Sequence, residues 1–150
     1  STFILADVLT YIIVLLLGTL IMCAVAVFGF GAQFYGNWGL LLLAFLLTTF
    51  AMYAMGYLLA AVAPSVQVAN VFGFIVGFIL MFLSGATIPM EVLPPAVQNI
   101  SRFIPLTYGV KLLKASWLQG SWEGQGLSVG VLLGVALVCT ALAARFWRWE

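Results

Sequence analysis

Nine side chains carry all the formal charge: Asp7, Glu91, Glu123, Glu150, Arg102, Lys111, Lys114, Arg145 and Arg148. With no histidine in the chain, neither a Ser–His nor a Cys–His nucleophile pair can be assembled. Asp7 is the only aspartate, so a pair of intramembrane aspartates for proteolysis is excluded. Cys23 and Cys139 each stand inside an apolar run, where cysteine serves as an ordinary small apolar residue. No group of Cys and acidic residues has metal-ligand spacing. The phosphate-loop pattern GxxxxGK[ST] does not occur, so the chain is not expected to bind ATP by that route. No cofactor, no metal and no catalytic residue is therefore expected here. No basic cluster suits a nucleic-acid backbone either. What remains is Glu91 on the same stretch as Arg102, Lys111 and Lys114, among four of the five prolines. Glu91 could pair with one of these cations at a membrane surface, or stand as a solvated loop charge.

The rest of the chain is close to lipid in character. Of 150 residues, 65% are hydrophobic and 6% charged, and the mean hydropathy is +1.25. A soluble domain carries roughly 25% charged residues. This composition predicts an integral membrane protein. The first residue is Ser1 rather than Met, as expected of a fragment or a processed chain. The first apolar run lacks a basic leader and a small-residue cleavage site and is not read as a signal peptide.

A spanning helix needs about 20 apolar residues to cross a hydrocarbon core of about 30 Å. Four runs qualify, at 8–30, 39–63, 66–84 and 127–146. Lipid leaves backbone groups no partner but their own helix, and the period-two alternation of a membrane barrel is absent. The predicted fold is all-α: a polytopic membrane bundle of four transmembrane helices in one domain over 1–150. Gly29, Gly31, Gln33, Gly36 and Asn37 form the first turn, beside the interfacial aromatics Phe34, Tyr35 and Trp38. Pro64 ends the second run. The last run closes on Arg145-Phe146-Trp147-Arg148-Trp149-Glu150, a basic and aromatic interface anchor. Four spans put both termini on one side.

The third connection is long and patterned. From Pro95, Val97, Ile100 and Ile104 fall at helical spacing, with Gln98, Asn99, Ser101 and Arg102 on other faces. Pro105 breaks the run. From Leu106, the set Leu106, Val110, Leu113 and Trp117 repeats the spacing, with Lys111 and Lys114 to one side. Two short helices over about 88–122 are predicted, each too short to span. They form either an interfacial cap or a re-entrant pair that dips into the membrane and lines a path.

Gly73 and Gly77, and likewise Gly130 and Gly134, form GxxxG pairs that let helix backbones approach. They are expected to pack against another helix of the chain or, second, against another subunit. Thr48 and Thr49 are expected to bond their own helix backbone. Asn70 is expected to face protein or water. Asn99-Ile100-Ser101 matches a glycosylation sequon, a triplet common by chance.

At these residues a family resemblance appears. Phe82-Leu83-Ser84-Gly85, Ile88-Pro89, Leu93-Pro94-Pro95 and Ile104-Pro105-Leu106-Thr107-Tyr108 follow one another in an order that resembles the C-terminal half of the type-two ABC exporter permeases, whose pattern reads FLSG…P…LPxWLQ…NPLTY. Here Phe103-Ile104 stands where an aromatic–Asn pair is common, and Ala96-Val97-Gln98 where Trp-Leu-Gln is common. The resemblance covers about residues 6–148. It implies that the four spans are the third to sixth of a six-span permease. It also implies that 86–125 is an extracellular re-entrant helix pair closing the outer end of the pathway, with cytoplasmic termini. Phe82, Ser84, Glu91, Phe103, Pro105 and Tyr108 would then lie near the outer gate. A literal positive-inside count gives the opposite orientation by one charge. The resemblance further implies a second permease copy, homo- or heterodimeric, and separate ABC ATPase subunits that hold ATP and Mg. It implies residence in a bacterial or archaeal plasma (inner) membrane. The cargo expected is hydrophobic or amphiphilic: a drug, a lipid-linked compound or a glycan. The family's first two spans, amphipathic N-terminal helix and coupling helix are absent from this sequence. The competing readings are a membrane anchor or assembly protein, and a channel, for which no carbonyl-lined filter or charged ring is visible.

Overall fold

The computed structural model describes residues 2–146, without the side chains of 2–5 and 8. Trp147, Arg148, Trp149 and Glu150 of the expected interface anchor lie outside the described residues. Every regular element described is helical. Four helices are long and apolar enough to cross a membrane: Leu9–Gly29, Trp38–Val62, Val66–Leu83 and Gly126–Phe146. Their bounds fall within about two residues of the apolar runs, as helix-length logic requires.

Contacts divide the chain into two compact units, 1–34 and 35–150. The first holds helix α1, Thr2–Ala24, which widens into a π-helical turn at Val25–Gly29. The amides of Phe30 and Ala32 reach back to the carbonyls of Val25 and Ala26. Gly31, with φ of 64°, supplies the left-handed residue that ends the run.

The second unit holds α2 (Trp38–Val62), α3 (Val66–Leu83), α4 (Pro95–Ser101), α5 (Pro105–Leu118) and α6 (Gly126–Phe146). Each boundary has a local cause. Asn37 Oδ1 accepts from Gly39 N at 2.8 Å and Leu40 N at 3.4 Å, capping α2. Ala63 is extended ahead of Pro64, so α2 stops there. Ser65 Oγ caps α3 by accepting from Val68 N at 3.3 Å. Pro95 and Pro105 open α4 and α5, where a missing N–H removes no helix bond.

The core of this unit is built from small residues. Ala44, Thr48, Ala51, Ala54 and Ala61 form the buried stripe of α2. Facing it are Leu112 of α5 and Leu132 and Ala136 of α6, all buried. In lipid, helix association depends on close packing rather than on expulsion of water, and small residues permit it. By contrast α3 buries none of its residues. Its rings Phe74, Phe78 and Phe82 run in a ladder, with centroids 6.1 and 4.8 Å apart. Such a face suits a bilayer, not water.

The four GxxxG glycines do not make the approaches. A Cβ built at Gly73, Gly77, Gly130 or Gly134 would meet nothing within 4 Å. Packing at these positions within the 35–150 unit is absent among its described residues. The close approaches are at Gly36 and Gly109 instead. A Cβ on Gly109 would stand 2.4 Å from Thr48 Cγ2, and one on Gly36 would stand 1.8 Å from the Ser116 carbonyl oxygen.

Candidate functional site

The connection between α3 and α6 folds as a helical hairpin, and three anchors fix it. At its start, Gly85 adopts φ of 81° and turns the chain off α3. Ser84 is buried, donates to the Met81 carbonyl at 3.2 Å and accepts from Ala86 N at 3.3 Å. A 3₁₀ turn at Met90–Val92 follows, and Gln98 Nε2 donates to the Leu93 carbonyl at 2.8 Å.

The second anchor joins α4 to α3. Ser101 is fully buried. Its hydroxyl stands between the Val97 carbonyl of its own helix and the Leu83 carbonyl at the end of α3. That carbonyl belongs to a helix C-terminus, where the last oxygens lack helical partners. The expected faces of α4 are thus revised. Ser101 points inward and Ile100 is 54% exposed, while Ile104 is buried as expected.

The third anchor joins α5 to α2. Ser116 is buried, its Oγ donates to the Leu112 carbonyl at 2.8 Å, and it accepts from Trp122 Nε1 at 2.8 Å. The Leu40 carbonyl of α2 lies 3.3 Å from the same oxygen. Asn37 N donates to the Ser116 carbonyl at 3.2 Å. Trp38 and Trp117 meet edge to face at 6.4 Å. Three tryptophans therefore gather at the α2 start, the pattern of a membrane–water interface.

These anchors give the hairpin a depth. Gly109 abuts Thr48, ten residues along α2 from Trp38, or about 15 Å at 1.5 Å per residue. Helix α3 has 18 residues against 25 in α2, so its end at Leu83 falls about 10 Å short of the α2 start. Ser101 bonds there. The turn between α4 and α5 thus sits roughly 10–20 Å inward from the tryptophan level along α2. Helix α5 runs back from it toward the α2 start, as a re-entrant pair would.

At the turn, Ile104 is extended and Pro105 starts α5. Tyr108 donates its hydroxyl to the Arg102 carbonyl at 2.7 Å, and Lys111 Nζ lies 5.2 Å from the same ring's centroid. Phe103 is 88% exposed. Phe82 stacks on Phe78 at the end of α3. Glu91 is exposed and makes no ion pair among the described residues, so the pairing with Arg102, Lys111 or Lys114 is absent from this structure. Of the expected gate residues, the structure brings Tyr108 to the 102–105 turn and leaves Glu91 and Phe103 on open surface. Thr48 bonds its own helix at the Ala44 carbonyl, 2.7 Å away. Asn70 is exposed. Thr107 Oγ1 is buried without a hydrogen-bond partner among the described residues. Sequence reasoning missed Ser116, Trp122 and Gly109, read Gly36 only as a turn residue and put Ser101 among the polar positions of α4. Only Ser116 carried a signal, as a lone hydroxyl among the apolar positions of α5.

Comparison with known proteins places this hairpin in context. Nodulation protein J of Rhizobium leguminosarum bv. viciae is 33% identical over 118 residues, covering 74% of this chain and 46% of the relative. Nodulation protein J of Rhizobium meliloti (strain 1021) is 31% identical over 117 residues, covering 76% and 45%. The uncharacterized protein YhgE of Bacillus subtilis (strain 168) is 30% identical over 132 residues, covering 86% of this chain and 16% of that protein. The chain spans about half the length of the nodulation relatives it matches. No solved structure matches. A family model described as ABC-2 family transporter protein matches residues 1–145. With four candidate membrane spans and a helical hairpin between the third and the fourth, the chain belongs to the ABC-2 family of transporter proteins and is an integral membrane protein.

Proposed function

We propose that this chain forms the hairpin-bearing part of a permease that exports a hydrophobic or amphiphilic substrate across a bacterial or archaeal plasma membrane. The observation that carries the reading is the hairpin itself, pinned at Ser101 to α3 and at Ser116 and Gly109 to α2. An element held inside the bilayer at both ends can separate a membrane pathway from the far aqueous phase. In this reading Phe82, Ser84, Glu91, Phe103, Pro105 and Tyr108 lie near the outer gate, and the termini are cytoplasmic. Aromatic side chains seal such a gate against water yet part for an apolar cargo. Energy comes from separate ATPase subunits that bind ATP and Mg, because the chain carries no phosphate-loop pattern. Two permease copies complete the pathway, and alternating access moves the cargo.

The test is reconstitution of the full-length permease in vesicles with and without a candidate ABC ATPase subunit. Uptake of a fluorescent amphiphile into inverted vesicles should require both proteins and ATP. A photoreactive ATP analogue should label the ATPase and leave the permease unlabelled. Uptake by the permease alone, or labelling of the isolated permease at physiological nucleotide concentration, would overturn the proposal.

A further inference from the structure

We infer that the exposed face of the α4–α5 hairpin binds the negatively charged head group of an amphiphile in transit, with Arg102 at the deep end of the track and Lys111 and Lys114 toward the surface. The inference rests on the permease reading above and refines it by the charge of the cargo. Three observations carry it. The first is depth. Arg102 follows Ser101, which bonds the end of α3, and its carbonyl accepts from Tyr108, the neighbour of Gly109. The two routes place it roughly 10–20 Å inward from the Trp38, Trp117 and Trp122 level. A cation at that depth is costly and marks a substrate or ion pathway when it persists.

The second observation is the lack of a counter-ion. Arg102, Lys111 and Lys114 are exposed, and none forms an ion pair among the described residues. Glu91 and Glu123 are exposed too and equally unpaired. Near Lys111 lies the Tyr108 ring, which holds the ammonium by its π face. Tyr108 thereby ties the Arg102 backbone to the Lys111 head. The third observation is the company these charges keep. Phe103, 88% exposed, adjoins Arg102 at the turn, so charge and apolar surface stand side by side, as an amphiphile needs.

A resident phospholipid is a poor occupant of the deep end, because its head group stays at the interface. A phosphate- or sulfate-bearing amphiphile crossing the bilayer must carry its charge through this depth. Arg102 offers a planar fork of donors to such an oxyanion, and the two lysines offer successive positions toward the water.

The experiment measures equilibrium binding of radiolabelled dodecyl phosphate to the intact permease in phosphatidylcholine nanodiscs, with dodecyl maltoside as the neutral comparison. Wild type should prefer the phosphate. Arg102→Gln should weaken phosphate binding by about tenfold, the scale of one lost charged hydrogen bond, and leave maltoside binding unchanged. Arg102→Lys should retain most of the preference, which separates charge from folding. Lys111→Gln with Lys114→Gln, at exposed positions, should weaken it independently. Equal affinity for the two amphiphiles, or unchanged phosphate binding in both glutamine variants, would overturn the inference. So would complete displacement by phosphatidylglycerol in the disc, which would assign the site to membrane lipid. The assay needs neither ATP nor the ATPase. Charge-selective binding without transport would therefore sink the exporter reading alone, and transport with charge-blind binding would sink this one alone.

Discussion

Gly109 sets how closely α5 can lie against α2. A Cβ there would stand 2.4 Å from Thr48 Cγ2 and 2.8 Å from Thr48 Oγ1, but 3.2 Å from Thr48 Cβ. Gly109→Ala should therefore destabilise by about 1–3 kcal/mol through overpacking. Thr48→Ala removes the two offending atoms, and its hydroxyl bonds only the Ala44 carbonyl of its own helix. The double variant should regain most of the loss. Thermal unfolding of the detergent-purified permease measures the cycle, and strictly additive effects would mean that the two residues do not touch. The contact was only half legible in the sequence. Ala44, Thr48 and Ala51 form a visible small-residue stripe on α2, yet nothing in a periodicity names the partner. The glycine pairs at 73/77 and 130/134 show the converse. Their spacing is a property of one helix, and among the described residues of the 35–150 unit no atom would lie within 4 Å of a Cβ at any of them.

At the scale of elements, proline made the hairpin readable. Pro95 and Pro105 occupy the first positions of α4 and α5, where fixed φ and a missing donor favour a helix start. The faces of α4 were not readable, because a helix of seven residues has too few turns for a period to decide. What decides is the end of α3, whose Leu83 carbonyl takes the Ser101 hydroxyl. Ser101→Ala should leave that helix-end oxygen without its hydroxyl partner, a loss of about 1 kcal/mol. Amide exchange should rise across 95–101 and stay unchanged in α2 and α6. Pro105→Ala loosens the turn by about 1 kcal/mol without removing a contact. If the hairpin gates a pathway, both variants should lower export at matched expression. Glu91→Gln, which breaks no ion pair, should not alter stability. Normal export by both hairpin variants, with the exchange change present in Ser101→Ala, would reduce the hairpin to a cap.

For the whole molecule the open question is which way the bundle faces. The sequence supplies two conflicting signals: Arg145 and Arg148 at one end of the spans, and Arg102, Lys111 and Lys114 on the hairpin. A count of cations puts the hairpin in the cytoplasm by one charge. Depth changes the weight of that count. In the proposed reading Arg102, tied to the end of α3 through Ser101 and to Tyr108, lies below the interface and is not a loop charge in the sense the rule requires. Without it the count is level, and the proposed orientation keeps the termini cytoplasmic. Single cysteines in a full-length Cys23→Ala, Cys139→Ala background test both orientation and depth in intact cells. Cysteines at Val92, 73% exposed, and at Glu123 should react with a membrane-impermeant maleimide from outside. One at Ser65, in the α2–α3 turn, should react only after permeabilisation. One at Phe103, though open in the chain, should react slowly from either side, since the proposed reading puts the turn below the water level. Labelling of Ser65 from outside would invert the orientation and restore the literal charge count. Labelling of Phe103 as fast as Val92 would put the hairpin turn in water and undo the depth on which the anionic track depends.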